Sequence, residues 1–199
     1  MTDDYNDQKA VIDFHGNTTN NGIIDVQSGS LSIYHKLINN NEIRVYEGSI
    51  DLHSQDTAST LELINQKLIN MQGNLRMFIP NEATFINEPG STIDISGCKN
   101  LYILATGNFI MNQNSTLVLP KQVKHKAEEE YLKPIILNGN EDCPVYIQIS
   151  ANAAYAKDLN QTNEKLFEEI KEATSFEFSG NTNDVKFSTI DYKDGSMNC

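Results

Sequence analysis

The chain reads as mainly β: a short parallel β-solenoid of about five to seven coils, closed at its C-terminal end by an α/β cap. Three observations carry that expectation. A short polar stretch followed by an apolar–polar–apolar triplet recurs five times, at Gly29–Ile33, Gly48–Leu52, Gly73–Met77, Ser91–Ile95 and Ser115–Leu119. Self-similarity of this kind marks stacked coils rather than an ordinary globule. The first two copies also agree upstream, where Ile24 and Val26 fall on Ile43 and Val45, so each coil has at least two strands with a Gly- or Asn-bearing bend between them. Third, asparagine is abundant, with 24 residues, and the type suits bends because its side chain bonds to the local backbone and tolerates left-handed geometry. Short strands closely spaced also fit a β-sandwich, which stands as the alternative.

Each triplet puts its first and third residues on one face. Stacking the copies in order gives an inner column of Leu31, Ile50, Leu75, Ile93 and Leu117, and a second of Ile33, Leu52, Met77, Ile95 and Leu119. The residues between them, Ser32, Asp51, Arg76, Asp94 and Val118, then form an exposed outer column. Its acid–base–acid centre acts as a structural charge ladder. Asp25 over Arg44 makes a second such pair. Asn20, Asn21, Asn40 and Asn41 fall at equivalent corners, where their amides bond along the stack. Further strands are expected at Ala10–Phe14, Leu61–Ile64, Leu68–Met71, Arg76–Ile79, Thr84–Asn87, Leu101–Leu104 and Asn108–Met111.

Residues 1–150 are read as the solenoid with an N-terminal capping segment, and 151–199 as a helix plus hairpin cap. Lys121–Lys133 reads as an exposed connecting segment or a weak helix held by packing, cationic first and acidic after, against the helix dipole. Ile135–Leu137 and Val145–Ser150 continue the stack around the turn at Asn138–Asp142. Leu159–Ala173 is amphipathic, with Asp158 as N-cap and Gln161 placed for a capping box. Ser175–Phe178 and Val185–Ile190 are expected to form a hairpin closing the end of the stack, which otherwise leaves an open strand edge.

Composition bounds the function. A net charge of −12 over 199 residues, with 39% hydrophobic residues, argues for a folded acidic surface. That sign repels phosphate backbones and anionic headgroups, so no nucleic-acid partner is expected. No apolar run reaches membrane-spanning length, so no membrane insertion is expected either. Met1–Asp7 is acidic and polar with no signal-peptide pattern, which points to a cytoplasmic chain or one exported by a non-classical route. Cys98, Cys143 and Cys199 lack metal-ligand spacing, and fit either free thiols or one disulfide plus a spare.

Candidate chemistry is thin. His35 and His53 lie close to one coil apart and, with Asp51 or Asp56, could frame a metal site; His15 and His125 are isolated. Exposed loop histidines are the favoured reading, and no metal or cofactor is expected. Asp51, Arg76 and Asp94 resemble the carboxylate sets of polysaccharide-cleaving β-helices, but Arg76 between the two acids favours the structural ladder. The Asn138–Asp142 turn offers oxygens without EF-hand spacing. Asn17, Asn114 and Asn160 match the glycosylation acceptor pattern, read as chance in so Asn-rich a chain. Tyr34, Tyr46 and Tyr102 are the exposed-aromatic candidates, and tryptophan is absent.

The stretch Asn20–Ile33, with its Asn-Asn-Gly-Ile-Ile-Asp-Val-Gln-Ser-Gly-Ser-Leu-Ser-Ile wording, resembles the repeats of bacterial haemagglutinin- and autotransporter-type adhesins. The likeness extends over about Asn20–Leu119. It implies a right-handed parallel β-helix that acts outside the cell, and carries no functional residues with it. The expectation is a non-catalytic binding or assembly protein presenting a solenoid face to a protein or glycan, with self-association through coil ends as one form. A polysaccharide lyase or hydrolase on that face is the alternative, and a component of a secreted or virion particle another.

Overall fold

A computed structural model describes residues 10–53, 60–121 and 133–190. The chain winds through rungs whose strands pair in parallel along three faces. The first face holds β1 (Ala10–Phe14), β4 (Gly29–Ile33), β7 (Gly48–Leu52), and the later halves of β9 (Leu68–Ile79) and β11 (Thr92–Ala105). The second holds β2 (Thr18–Asn20), β5 (Lys36–Asn39), β8 (Leu61–Asn65), β10 (Ala83–Asn87), β12 (Asn108–Asn112), β14 (Ile135–Asn138) and β16 (Phe178–Gly180). The third holds β3 (Ile23–Val26), β6 (Glu42–Val45), the early halves of β9 and β11, β13 (Thr116–Leu119), β15 (Val145–Ser150) and β17 (Val185–Ile190). The second face is one seven-stranded sheet, so the described residues form seven rungs. Strands β9 and β11 turn from the third face to the first without breaking, which joins those two faces into a single bent sheet.

Every apolar residue of the five triplets is buried, as the alternation requires. The expected single columns do not form, however. The first three triplets lie on the first face and the last two on the third. Leu31 pairs with Ile50, and Ile50 with Met77, so Leu75 is two residues out of step and faces Gly48. Ile93 and Leu117 belong to a column with Ile43, Ile69 and Ile147. The physical reason is that a three-sided coil puts the same in–out–in pattern on every side, so triplets from different faces look alike. The outer column fails for the same reason. Ser32 and Asp51 do pair, yet both are buried rather than exposed. Asp94 stands on the third face opposite Asn70. Asp25 pairs in register with Arg44, but the Arg44 guanidinium forks onto Glu42 of its own strand at 2.7 and 2.8 Å.

The asparagine expectation holds in part: of Asn20, Asn21, Asn40 and Asn41 only Asn40 and Asn21 bond each other, while Asn20 bonds Asn39 and Asn41 Oδ1 accepts from Lys67 Nζ at 2.9 Å. Asn20, Asn39, Asn65 and Asn87 are in register on the second face, 19, 26 and 22 residues apart, and each Nδ2 donates to the next Oδ1 at 2.7–2.8 Å. Asn39, Asn65 and Asn87 are fully buried. Spare amide hydrogens reach the third face, from Asn39 to the Leu68 carbonyl and from Asn65 to that of Thr92, both at 2.9 Å. The ladder thus ties two faces together at their shared corner. A second, exposed step joins Asn40 to Asn21 at 2.9 Å. Asn87 is opposite Met111, which ends the inner series; there the Ser91 hydroxyl donates to Asn87 Oδ1 at 2.7 Å instead.

At the C-terminal end β16 and β17 are not a hairpin. They pair in parallel with β14 and β15 and form a last rung. Helix α1 (Asn163–Thr174) precedes that rung in the chain and packs against its two strands. It buries Leu166 and Ile170 and sets the Phe167 ring against Phe178 and Phe187, 5.0 and 5.2 Å between centroids. Its N-cap is Thr162, whose hydroxyl accepts from the Lys165 amide; Asp158 caps a separate turn at Asn160. Gln161 bonds Glu169 rather than closing a capping box. Among the described residues no helix is long and apolar enough to cross a membrane. The N-terminal segment 1–9, most of the 121–133 connection, Asp56, His125 and Cys199 lie outside the described residues.

Candidate functional site

A cleft of about 790 Å³ runs along the corner where the third face turns into the first. Its position follows from the corner glycines. Gly29 and Gly48 turn with φ of +136° and +139°, and a Cβ at Gly48 would sit 1.7 Å from the Gly29 carbonyl oxygen. Glycine at these positions lets successive rungs close together and leaves a recess without side chains beside the first face.

The wall of the recess is a column of outward residues, one per rung: Ser30, Ser49, Arg76 and Tyr102, in that register. Arg76 reaches diagonally to Asp51. Its Nη2 donates to Asp51 Oδ2 at 2.9 Å and to Oδ1 at 3.0 Å, and its Nε to Oδ1 at 3.2 Å. The Asp51 side chain is 4% exposed and that of Arg76 55%. The carboxylate is therefore a buried anchor and the guanidinium the presented group. Ser49 Oγ donates to Asp51 Oδ2 at 2.6 Å and lies 3.1 Å from Ser30 Oγ, which leaves the Ser30 hydroxyl to donate to Ser49. This fixes the carboxylate from both sides and holds one edge of the guanidinium outward. On the opposite lip Glu47 Oε2 accepts from the Asn74 amide at 3.0 Å, and Asn100 Nδ2 donates to Asn74 Oδ1 at 2.6 Å. Leu75 and Leu101 form a buried apolar floor, and Tyr102 is 40% exposed at one end.

The acid–base set singled out from the sequence thus splits. Asp51 and Arg76 meet, while Asp94 is on another face and accepts from the Ser96 amide and hydroxyl at 2.9 and 2.6 Å. Tyr102 lies in the groove. Tyr34 does not; it is the centre of an outer stack with His15 at 4.4 Å and His53 at 5.1 Å, which Phe78 continues at 6.5 Å. His53 therefore stacks on Tyr34 and not on His35, which lines a smaller cleft with Asn17, Lys36 and Thr60. Tyr46 is half-buried, its amide bonded to the Val26 carbonyl. In the Asn138–Asp142 turn, Asn140 Oδ1 is occupied by the Cys143 amide at 2.8 Å. Among the described residues no three His, Cys, Asp or Glu side chains gather to hold a metal ion. Cys98 and Cys143 are free thiols; burial pushes the Cys98 thiol up to about 12, so it stays protonated and inert at neutral pH.

No family model, curated protein or solved structure matches this chain. The groove's serines, Glu47, Asn74 and Asn100 escaped the sequence reading. Their one signal was the repeated Gly-Ser pair at 29–30 and 48–49, which places a hydroxyl just after each tight corner.

Proposed function

We propose that the chain is a non-catalytic binding protein whose corner groove takes an extended glycan. One observation carries this reading: the groove presents hydroxyl, guanidinium and phenol groups in sequence, one per rung, with amides along the opposite lip. Such a lining offers repeated hydrogen bonds to a polyhydroxylated chain lying along the stack, and the Tyr102 ring offers an apolar surface for a sugar face. It lacks the central apolar anchors that drive protein–protein recognition. The carboxylate geometry favours binding over cleavage. Glycosidic hydrolysis needs two carboxylates facing one bond across a gap, whereas Asp51 sits beneath Arg76 and is committed to it.

Calorimetry against a panel of neutral and uronate-containing polysaccharides tests the reading. At least one polymer binds, Tyr102→Ala weakens it about tenfold, in keeping with loss of about 1–1.5 kcal/mol of ring contact, and no reducing ends appear. Absence of binding across the panel contradicts the proposal. So does release of reducing ends that Asp51→Asn abolishes.

A further inference from the structure

Among the described residues that line the corner groove, Glu47 and Arg76 carry the only charges. The Arg76 charge is neutralised where it stands. Its Nε and Nη2 hold the Asp51 carboxylate at 2.9–3.2 Å, and that side chain is buried beneath it. Glu47 is exposed on the opposite lip, its Oε2 accepting from the Asn74 amide at 3.0 Å. One guanidinium is thus set against two carboxylates, in a chain of net charge −12. A sugar carboxylate or sulfate entering here loses water and meets no net positive charge. A sugar hydroxyl meets the same polar groups and has no charge to desolvate. Arg76 Nη1 takes no part in the bonds to Asp51 and serves as a donor. Ser30 Oγ, which donates to Ser49, keeps lone pairs that accept.

Register sets the shape of the ligand. Gly29, Gly48, Leu75 and Leu101 stand in line along the corner, as do Ser30, Ser49, Arg76 and Tyr102 beside them. The groove therefore runs with the stack, across four rungs spaced ~4.8 Å apart. Hexoses joined β-1,4 through equatorial oxygens, as in glucan and mannan, form a straight ribbon that advances by close to one rung, ~4.8 Å, per sugar. Chains joined α-1,4 coil away from such a line. We infer that this cleft, read as the glycan site proposed above, takes an uncharged β-1,4-linked hexose ribbon, about four sugars at a time; the assignment rests on that reading and narrows it to one class of polymer.

Calorimetry with β-1,4-glucan and β-1,4-mannan oligomers of two to six residues, and with the same oligomers oxidised at C6 to uronates, tests the assignment. Affinity for at least one neutral series climbs from two residues to four and is level from four to six. Its oxidised counterpart binds about tenfold more weakly, or worse, at low salt. That gap closes as added salt screens the charges. Glu47→Gln also narrows it, since the side-chain amide keeps an oxygen to accept from the Asn74 backbone and loses the charge. Oxidised oligomers that bind as tightly as the neutral ones overturn the inference and leave the glycan reading standing. Binding confined to other polysaccharides of the panel does the same, as does an affinity still climbing from five residues to six. A gap that Glu47→Gln leaves unchanged also overturns it. Absence of binding across the whole panel removes the glycan reading and this assignment with it.

Discussion

Gly48→Ala abolishes cooperative folding. The added Cβ would lie 1.7 Å from the Gly29 carbonyl oxygen and 2.7 Å from its carbonyl carbon, both backbone atoms of the adjoining rung. No rotamer relieves a clash with backbone, so the two rungs must part and the pairing of β4 with β7 goes with them. The φ of +139° adds strain for any L side chain. The expected cost exceeds about 4 kcal/mol, a large share of the 5–15 kcal/mol that holds a domain of this kind together. Gly90→Ala is the control. Its φ of +79° is also left-handed, but nothing lies within 4 Å of the new Cβ, so it costs only the local strain of about 1–2 kcal/mol. Urea melts of the two variants separate close approach from backbone strain. Equal midpoints would contradict the rung contact.

Asn65→Asp produces the second large loss. Asn65 is fully buried, accepts from Asn39 at 2.8 Å, and donates to Asn87 Oδ1 at 2.7 Å and to the Thr92 carbonyl at 2.9 Å. An aspartate there keeps the accepted bond and loses both donated ones. It sets a carboxylate oxygen against two acceptors in a fully buried site. The expected destabilisation at neutral pH is about 3–5 kcal/mol. The loss depends on pH with a definite sign. Burial raises the introduced carboxyl above its ordinary ~4. The protonated form is the tolerated one, so the deficit is smallest below the unfolded-state value. It grows as pH rises towards the folded-state value and is constant above it. Asn40→Asp, on the exposed step to Asn21, costs about 1 kcal/mol or less and shows no such dependence. Melts of both variants at acid and neutral pH give the comparison.

Much of the architecture was legible because a solenoid writes its core locally. The triplets gave the inward residues, and the Asn-Asn corners gave the equivalence of Asn21 and Asn40. Pairing partners were not legible. Gly73–Met77 resembles Gly48–Leu52 residue for residue, yet the corner takes four steps from Met71 to Leu75 where Val45 to Gly48 takes three, so that Met77 and not Leu75 meets Ile50. The Ser179–Asn183 turn looks like a hairpin turn, since a local sequence specifies a bend and not the direction of the strand it feeds. Two residues with capping chemistry, Asp158 and Thr162, competed to start α1. Thr162 prevails because the helix begins where Leu166 and Ile170 reach the core. The repeated Leu-Ile-Asn of Leu37–Asn39 and Leu63–Asn65 held both the buried ladder and, in Ile38 and Ile64, a half-buried pair in register. Its middle residue reads as core until the register shows which neighbours point inward. In the groove, Asp51, Arg76 and Tyr102 stood out as charged or aromatic, while small hydroxyl and amide side chains gain meaning only from the cleft they line.

Methyl NOE spectroscopy on a selectively labelled sample measures the stacking itself. Continuous cross-peaks from the Leu31 methyls to Ile50, and from Ile50 to the Met77 methyl, are expected, alongside a separate series linking Ile43, Ile69, Ile93, Leu117 and Ile147. Cross-peaks placing Ile50 against Ile93, or the absence of any contact between residues one rung apart, would contradict three parallel faces wound around one core.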